Sequence, residues 1–149
     1  MPRRSPGRGG RVPVRIRPAG RGRRWQTAGV GVLGIHHVAL CVRDLDEALA
    51  FYRDILGFPE MPERPDFGFA GAWLRAGAHQ IHLYEMPEAN PERRQHVALA
   101  VDDLDALVEV LESRGVAVDR RPHIPGAGRQ AFIRDPTGNR IELNQPEPA

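Results

Sequence analysis

The feature that most constrains this chain is an internal repeat. Residues 37–46 read HVALCVRDLD and residues 96–105 read HVALAVDDLD, an offset of 59 residues with eight of ten positions identical. One such match is too little for a solenoid of many stacked units, but it is enough for a duplicated supersecondary unit. The chain is therefore read as two copies of one small unit.

Each copy can be read further. Val38, Leu40 and Val42 alternate with His37, Ala39 and Cys41, the mark of a strand with one apolar face. Asp44 then caps a helix, with Glu47 three residues on as a capping box. Leu45, Leu49, Tyr52 and Leu56 form its apolar stripe, and Gly57 stops it. The second copy repeats the scheme with Val97, Leu99 and Val101, the cap Asp103, the stripe Leu104, Leu107, Val108 and Leu111, and the stop Gly115. Three short strands are expected after each helix. They fall near 58–62, 70–76 and 79–85 in the first copy, and near 116–120, 129–134 and 139–144 in the second. Asp135-Pro136-Thr137-Gly138 turns the last hairpin. The order is β-α-β-β-β, twice: module 1 over 35–85, a Pro- and charge-rich linker over 86–95, and module 2 over 96–145.

The residues opposite the apolar faces carry the chemistry. On the two opening strands they are His37, Ala39, Cys41 and His96, Ala98, Ala100, so each imidazole has small neighbours. On the fourth strand of module 1, Gln80, His82 and Tyr84 oppose Ile81 and Leu83. On the last strand, Arg140, Glu142 and Asn144 oppose Ile141 and Leu143. Three imidazoles and a carboxylate suit one borderline divalent ion, Zn, Ni, Co, Mn or Fe(II). Gln80 shares the face of His82 and is the alternative fourth ligand. His36 is expected on the helix-facing side, His79 and His123 at solvated loop edges, and Cys41 as a small buried thiol. Trp73, Tyr84, Arg129 and Asn144 are further candidates to line a cleft.

GIHHVALCVRDLDEALAFYRDILGF and DPTGNRIEL resemble the opening and closing segments of vicinal oxygen chelate proteins, the superfamily of glyoxalase I, bleomycin-resistance proteins and extradiol dioxygenases. The resemblance spans residues 34–145. It implies an α+β fold of two βαβββ modules, an open eight-stranded cleft around one metal, with ligands from the first and fourth strand of each module. Those positions are His37, His82, His96 and Glu142. Glyoxalase I carries Glu where this chain has His82, which leaves Glu142 as the only ligand carboxylate and the candidate catalytic base.

Four protein ligands on a six-coordinate ion leave two open positions, which suit two neighbouring oxygens of one small substrate. The expected activity is that of a lyase or isomerase of the lactoylglutathione-lyase kind, with or without a thiol cofactor. An Fe(II) extradiol-type dioxygenase is the rival, because His37, His96 and Glu142 alone make a two-His-one-carboxylate triad. A metal-free antibiotic-binding protein of the bleomycin-resistance kind is the non-enzymatic alternative.

Composition matters chiefly through its uneven distribution. Residues 1–34 hold nine arginines and no acid, whereas residues 35–149 hold twelve arginines and nineteen acids, a net charge of −7. The first segment, with eight glycines and four prolines, is expected to be a disordered basic tail or upstream sequence preceding the true translation start. Arg23 and Arg24 do not open an export signal, since the apolar stretch after them is short and runs into His36 and His37. Cys41 is the only cysteine, which excludes an intrachain disulfide and a cysteine-based zinc site. No apolar run is long enough to span a membrane. A cytoplasmic homodimer acting on a small molecule is expected, with neither nucleic acid nor membrane as partner.

Overall fold

A computed structural model of the chain describes residues 34–147, so the reading of a basic tail falls outside the described residues but for Gly34. Module 1 comprises β1 (His37–Val42), α1 (Leu45–Leu49), β2 (Gly71–Ala76) and β3 (His79–Glu85). Module 2 comprises β4 (His96–Ala100), α2 (Leu104–Ser113), β5 (Asp119–Arg120), β6 (Arg129–Arg134) and β7 (Arg140–Gln145). The two sheets run β1-β3-β2 and β4-β7-β6-β5. In each, the opening strand lies parallel to the last strand of its module and all other pairings are antiparallel.

The sheets hold seven strands and not the expected eight. The segment near 58–62 makes only a single bridge, Glu60 to Leu74. Two backbone bonds tie it to β2, from Met61 N to Trp73 O and from Arg75 N to Pro59 O. Pro59, Pro62 and Pro65 lack the amide hydrogens that a longer ladder would need. Its counterpart in module 2 is equally short, two residues at Asp119–Arg120.

The helices start where the caps put them. Asp44 accepts from Glu47 N at 2.9 Å and Asp103 from Ala106 N at 3.0 Å. The next free amide of each helix is taken from the end of its own sheet: Leu45 N donates to Glu85 Oε1 and Leu104 N to Gln145 Oε1. The repeat thus extends to side chains that bind helix to sheet. The first helix departs from expectation in its second half, where Ala50–Ile55 winds as a π-helix. Phe51 and Tyr52 are both buried there, three and four residues after the buried Ala48.

Both modules contribute to one core, with Val42, Phe51, Tyr52, Leu74, Ile81 and Leu83 packed with Val108, Leu111, Ile133, Ile141 and Leu143. Burial of this apolar surface is the main term holding the halves together. The Asp135–Asn139 turn adds polar ties. Asp135 accepts from the buried Tyr52 hydroxyl at 3.0 Å and from the amides of Gly138 and Asn139. Thr137 Oγ1 accepts from Arg43 N, and Asn139 Nδ2 donates to Cys41 O. The last hairpin turn is therefore also a clasp on the end of β1.

Candidate metal centre

The strand registers decide which donors meet. In module 1, Ala39 lies opposite His82 and His37 opposite Gln80. In module 2, Ala98 lies opposite Glu142 and His96 opposite Arg140. The alanines leave the space that the longer side chains fill. His37 and His96 are exposed, because β1 and β4 are sheet edges, while His82 and Glu142 are only 4% and 6% exposed.

Two pairs result. The rings of His37 and His82 stack with centroids 4.0 Å apart and planes 11° from parallel. His96 Nε2 lies 2.9 Å from Glu142 Oε2. Among the described residues, no three His, Cys, Asp or Glu side chains gather as one site. The four candidates therefore stand as two half-sites.

The module 2 pair fits a cation. His96 Nδ1 lies 3.0 Å from the Arg94 carbonyl, an acceptor only, so Nδ1 carries the hydrogen. Nε2 and Oε2, both lone-pair donors in the neutral tautomer, then need a proton or a metal ion between them. Their 2.9 Å separation matches two neighbouring ligands, each about 2.1 Å from one ion. Asn144 Nδ2 donates to Glu142 Oε1 at 2.8 Å and to Ala127 O, which orients the carboxylate.

The module 1 pair is built of rings. Trp73, opposite His82 on β2, stacks on its imidazole at 4.4 Å. The order Trp73–His82–His37 is a three-ring pile. Burial, then the neighbouring charges of His37, His36 and Arg64, push the His82 pKa below its ordinary value, so it is neutral and able to offer a lone pair. Its Nε2 donates to Gln80 Oε1 at 2.8 Å. Gln80, the alternative ligand, is in this structure the partner of His82. Phe67, Phe69 and Tyr84 extend the aromatic wall, and Arg64 lies over both phenyl rings. The buried Trp73 Nε1 and Arg64 Nε have no hydrogen-bond partner among the described residues.

Several other expectations need correction. His36 is exposed and its Nδ1 lies 3.0 Å from that of His37, because it precedes the strand and escapes its alternation. Cys41 is exposed, since the outer face of the edge strand is open. Arg129 turns away to bond both carboxylate oxygens of Asp105 on α2. Alternation placed Arg140 on the face of Glu142 without giving it a role, and it missed Phe132. Phe132 lies opposite Glu142, edge-on to His96 at 5.7 Å, and carries the Arg140 guanidinium 3.6 Å above its ring. The register of the Asp135–Asn139 hairpin was the signal that could have placed them together.

Comparison with known proteins decides the family. The sequence profile of the Glyoxalase/Bleomycin resistance protein/Dioxygenase superfamily matches residues 34–143. The chain belongs to this superfamily. It is 32% identical to YaeR of Escherichia coli (strain K12), over 76% of this chain and 97% of that protein. It is 33% identical to a lactoylglutathione lyase of Haemophilus influenzae, over 73% of this chain and 90% of the relative. A crystal structure of a glyoxalase family protein from Bacillus anthracis superposes with a TM-score of 0.72 at 30% identity, over 79% of this chain and 98% of the other. Among the described residues, no helix is long and apolar enough to cross a membrane.

Proposed function

We propose that the protein is a metal-dependent lyase or isomerase acting on a small substrate with two neighbouring oxygens. The observation that carries this reading is the 2.9 Å pair of His96 Nε2 and Glu142 Oε2, matched by an imidazole pair at the equivalent strands of module 1. We further propose a homodimer in which His37 and His82 of one subunit complete the site of His96 and Glu142 of the other. The separation of the donors into two half-sites within one chain supports that arrangement. A divalent ion held there would supply Lewis acidity toward the two substrate oxygens.

The chain's own residues supply the rest. Glu142, held through Oε1 by Asn144, is the only carboxylate of the set. Released from the ion, its Oε2 would take the proton from the hydroxyl-bearing carbon beside the carbonyl and return it to the carbonyl carbon, while the hydroxyl proton passes to the former carbonyl oxygen, an isomerisation that keeps every atom. His96, oriented by the Arg94 carbonyl, keeps its Nε2 directed at that oxygen. The aromatic wall of Trp73, Phe69 and Tyr84 offers apolar contact to the substrate on the module 1 side.

A second reading draws on one observation. His82 is covered by Trp73 and its Nε2 is engaged by Gln80. With His82 withheld, His37, His96 and Glu142 form the two-His-one-carboxylate set of extradiol dioxygenases. The test combines metal analysis with subunit mixing. His37→Ala and Glu142→Ala homodimers should each lack metal, whereas a mixed dimer regains one intact site and one ion. No metal on mixing would sink the shared site, and no metal in the wild type would leave the antibiotic-binding alternative. Turnover of 2-oxoaldehyde–thiol adducts supports the first reading, and oxygen uptake with catechols supports the second.

A further inference from the structure

We infer that module 2 carries an anion-binding subsite beside the His96–Glu142 pair, which takes a multiply charged carboxylate or phosphoryl group of the substrate. An open cavity of about 910 Å³ lies at the β6 edge, where the chain from Gly115 to Val118 runs past Ile133 and Arg134. Its walls hold Arg93, Arg94, Arg114, Arg121, Arg134 and Arg140 against two carboxylates, Asp119 and Asp135. Six guanidiniums less two carboxylates leave four positive charges. This sits on a body whose net charge is −7, from twelve arginines and nineteen acids over residues 35–149. Half of the body's arginines therefore line one cavity, with Arg114 donating to the Asp54 and Ile55 carbonyls and Arg134 to the Gly138 carbonyl. The chain contains no lysine, so the clustering is informative and the choice of arginine is not.

The two carboxylates are already engaged. Asp119 is paired with Arg121. Asp135 accepts from Tyr52, Gly138 and Asn139. Arg140 forms no ion pair among the described residues. Its guanidinium is instead held flat, 3.6 Å over the Phe132 ring, with Arg121 at 5.7 Å from the same ring. Stacking fixes the plane of a guanidinium and leaves its edge donors free for an oxyanion. Phe132 in turn touches His96, so an anion at Arg140 adjoins the module 2 half-site. The assignment to substrate, though not the anion site itself, rests on the function proposed above.

The experiment is calorimetric titration of the full chain with inorganic pyrophosphate and, in a second arm, citrate, at fixed ionic strength to hold screening constant. Saturable binding at about one site per chain is expected in either arm, and the stronger arm identifies the phosphoryl or the carboxylate source. Arg140→Gln and Arg121→Gln should each weaken it about tenfold, the effect of losing a charge-assisted contact, while Arg140→Lys retains most of it. Arg53→Gln, on the outer surface of the first helix, should leave it unchanged. Binding that is non-saturable, or equal in all variants, would overturn the subsite. Titration of Glu142→Ala without divalent metal separates the two proposals. Persistent binding there supports the cavity even if the metal reading fails, whereas binding seen only in the wild type loaded with a divalent ion places the anion on the ion and overturns the cavity assignment.

Discussion

The two modules share a skeleton and differ in what they place on it. Trp73 and Phe132 sit opposite His82 and Glu142 at the same point of each hairpin. In module 1 the result is a pile of rings. In module 2 it is a carboxylate, an imidazole and a stacked guanidinium. The hairpin tips diverge as well. Ala76 and His79 in module 1 are joined by two residues, with Gly77 at φ +61°. In module 2, Asp135-Pro136-Thr137-Gly138-Asn139 makes a longer turn that clasps the other module. Duplication thus preserved strand order and register, while substitution at fixed register positions divided the work. One half offers flat aromatic contact and the other a carboxylate beside a stacked guanidinium.

If that division is real, the ligand variants should be unequal. Glu142→Ala and His96→Ala should lower metal affinity by more than roughly 100-fold, beyond the range of residues that only orient ligands. His37→Ala should follow closely, and His82→Ala should cost only about 10-fold, since its Nε2 is shared with Gln80. Equilibrium dialysis with Mn(II), Ni(II) and Zn(II) gives the ranking. Equal losses in all four variants would show that the modules contribute alike.

The clasp should matter next. Asp135→Ala removes the acceptor of a buried tyrosine hydroxyl and of two turn amides. It should destabilise the chain by about 3 kcal/mol in urea unfolding, and Tyr52→Phe by about 1 kcal/mol. The double variant should fall short of the sum, because the two residues share a bond. The equivalent position in module 1 is already alanine, Ala76.

Much of this was legible in the sequence. The repeat announced two units, the caps Asp44 and Asp103 fixed the helix starts, and alternation put His37, His82, His96 and Glu142 on the outer faces. Alternation could not say which donors meet, because that depends on strand register and on how two sheets face one another. Nor could it show that Ala50–Ile55 winds as a π-helix, since the buried Ala48, Phe51 and Tyr52 have the spacing of an α-helical stripe as well. The expected strand at 58–62 shrinks to a single bridge because Pro59 and Pro62 lack the amide hydrogens of a ladder. Arg140 over Phe132 was hidden because the two residues are eight positions apart and meet only through the hairpin register.

The orienting amides offer a finer test of the asymmetry. Asn144 holds the carboxylate of Glu142, and Gln80 holds Nε2 of His82. Asn144→Ala should weaken metal binding about 10-fold, the cost of losing a partner that orients a ligand. Gln80→Ala frees a donor and should leave affinity unchanged or raise it by a few-fold. A loss in Gln80→Ala equal to that in Asn144→Ala would mean that both amides orient ligands and that module 1 works as module 2 does.

The smallest effect concerns Tyr52, whose place in module 2 is taken by Leu111; both are fully buried. Burial, then the charge of Asp135 and its hydrogen bond, raise the Tyr52 pKa far above the ordinary value, which is about 10 for a free tyrosine. The folded chain therefore keeps a proton that the unfolded chain releases. Stability from this group is complete below about pH 10 and declines as pH rises past it. The chain has two tyrosines, so in a Tyr84→Phe variant Tyr52 is the only one. Tyrosinate absorbance should stay absent above pH 10 while the far-ultraviolet dichroism is native, and appear only as the fold is lost. Adding Asp135→Asn removes the carboxylate charge and should bring ionisation to lower pH, still above that of a free tyrosine because burial is the larger cause. Ionisation near pH 10 in an intact fold would show that the hydroxyl is open to water, and that the seam between the modules is not closed at Tyr52.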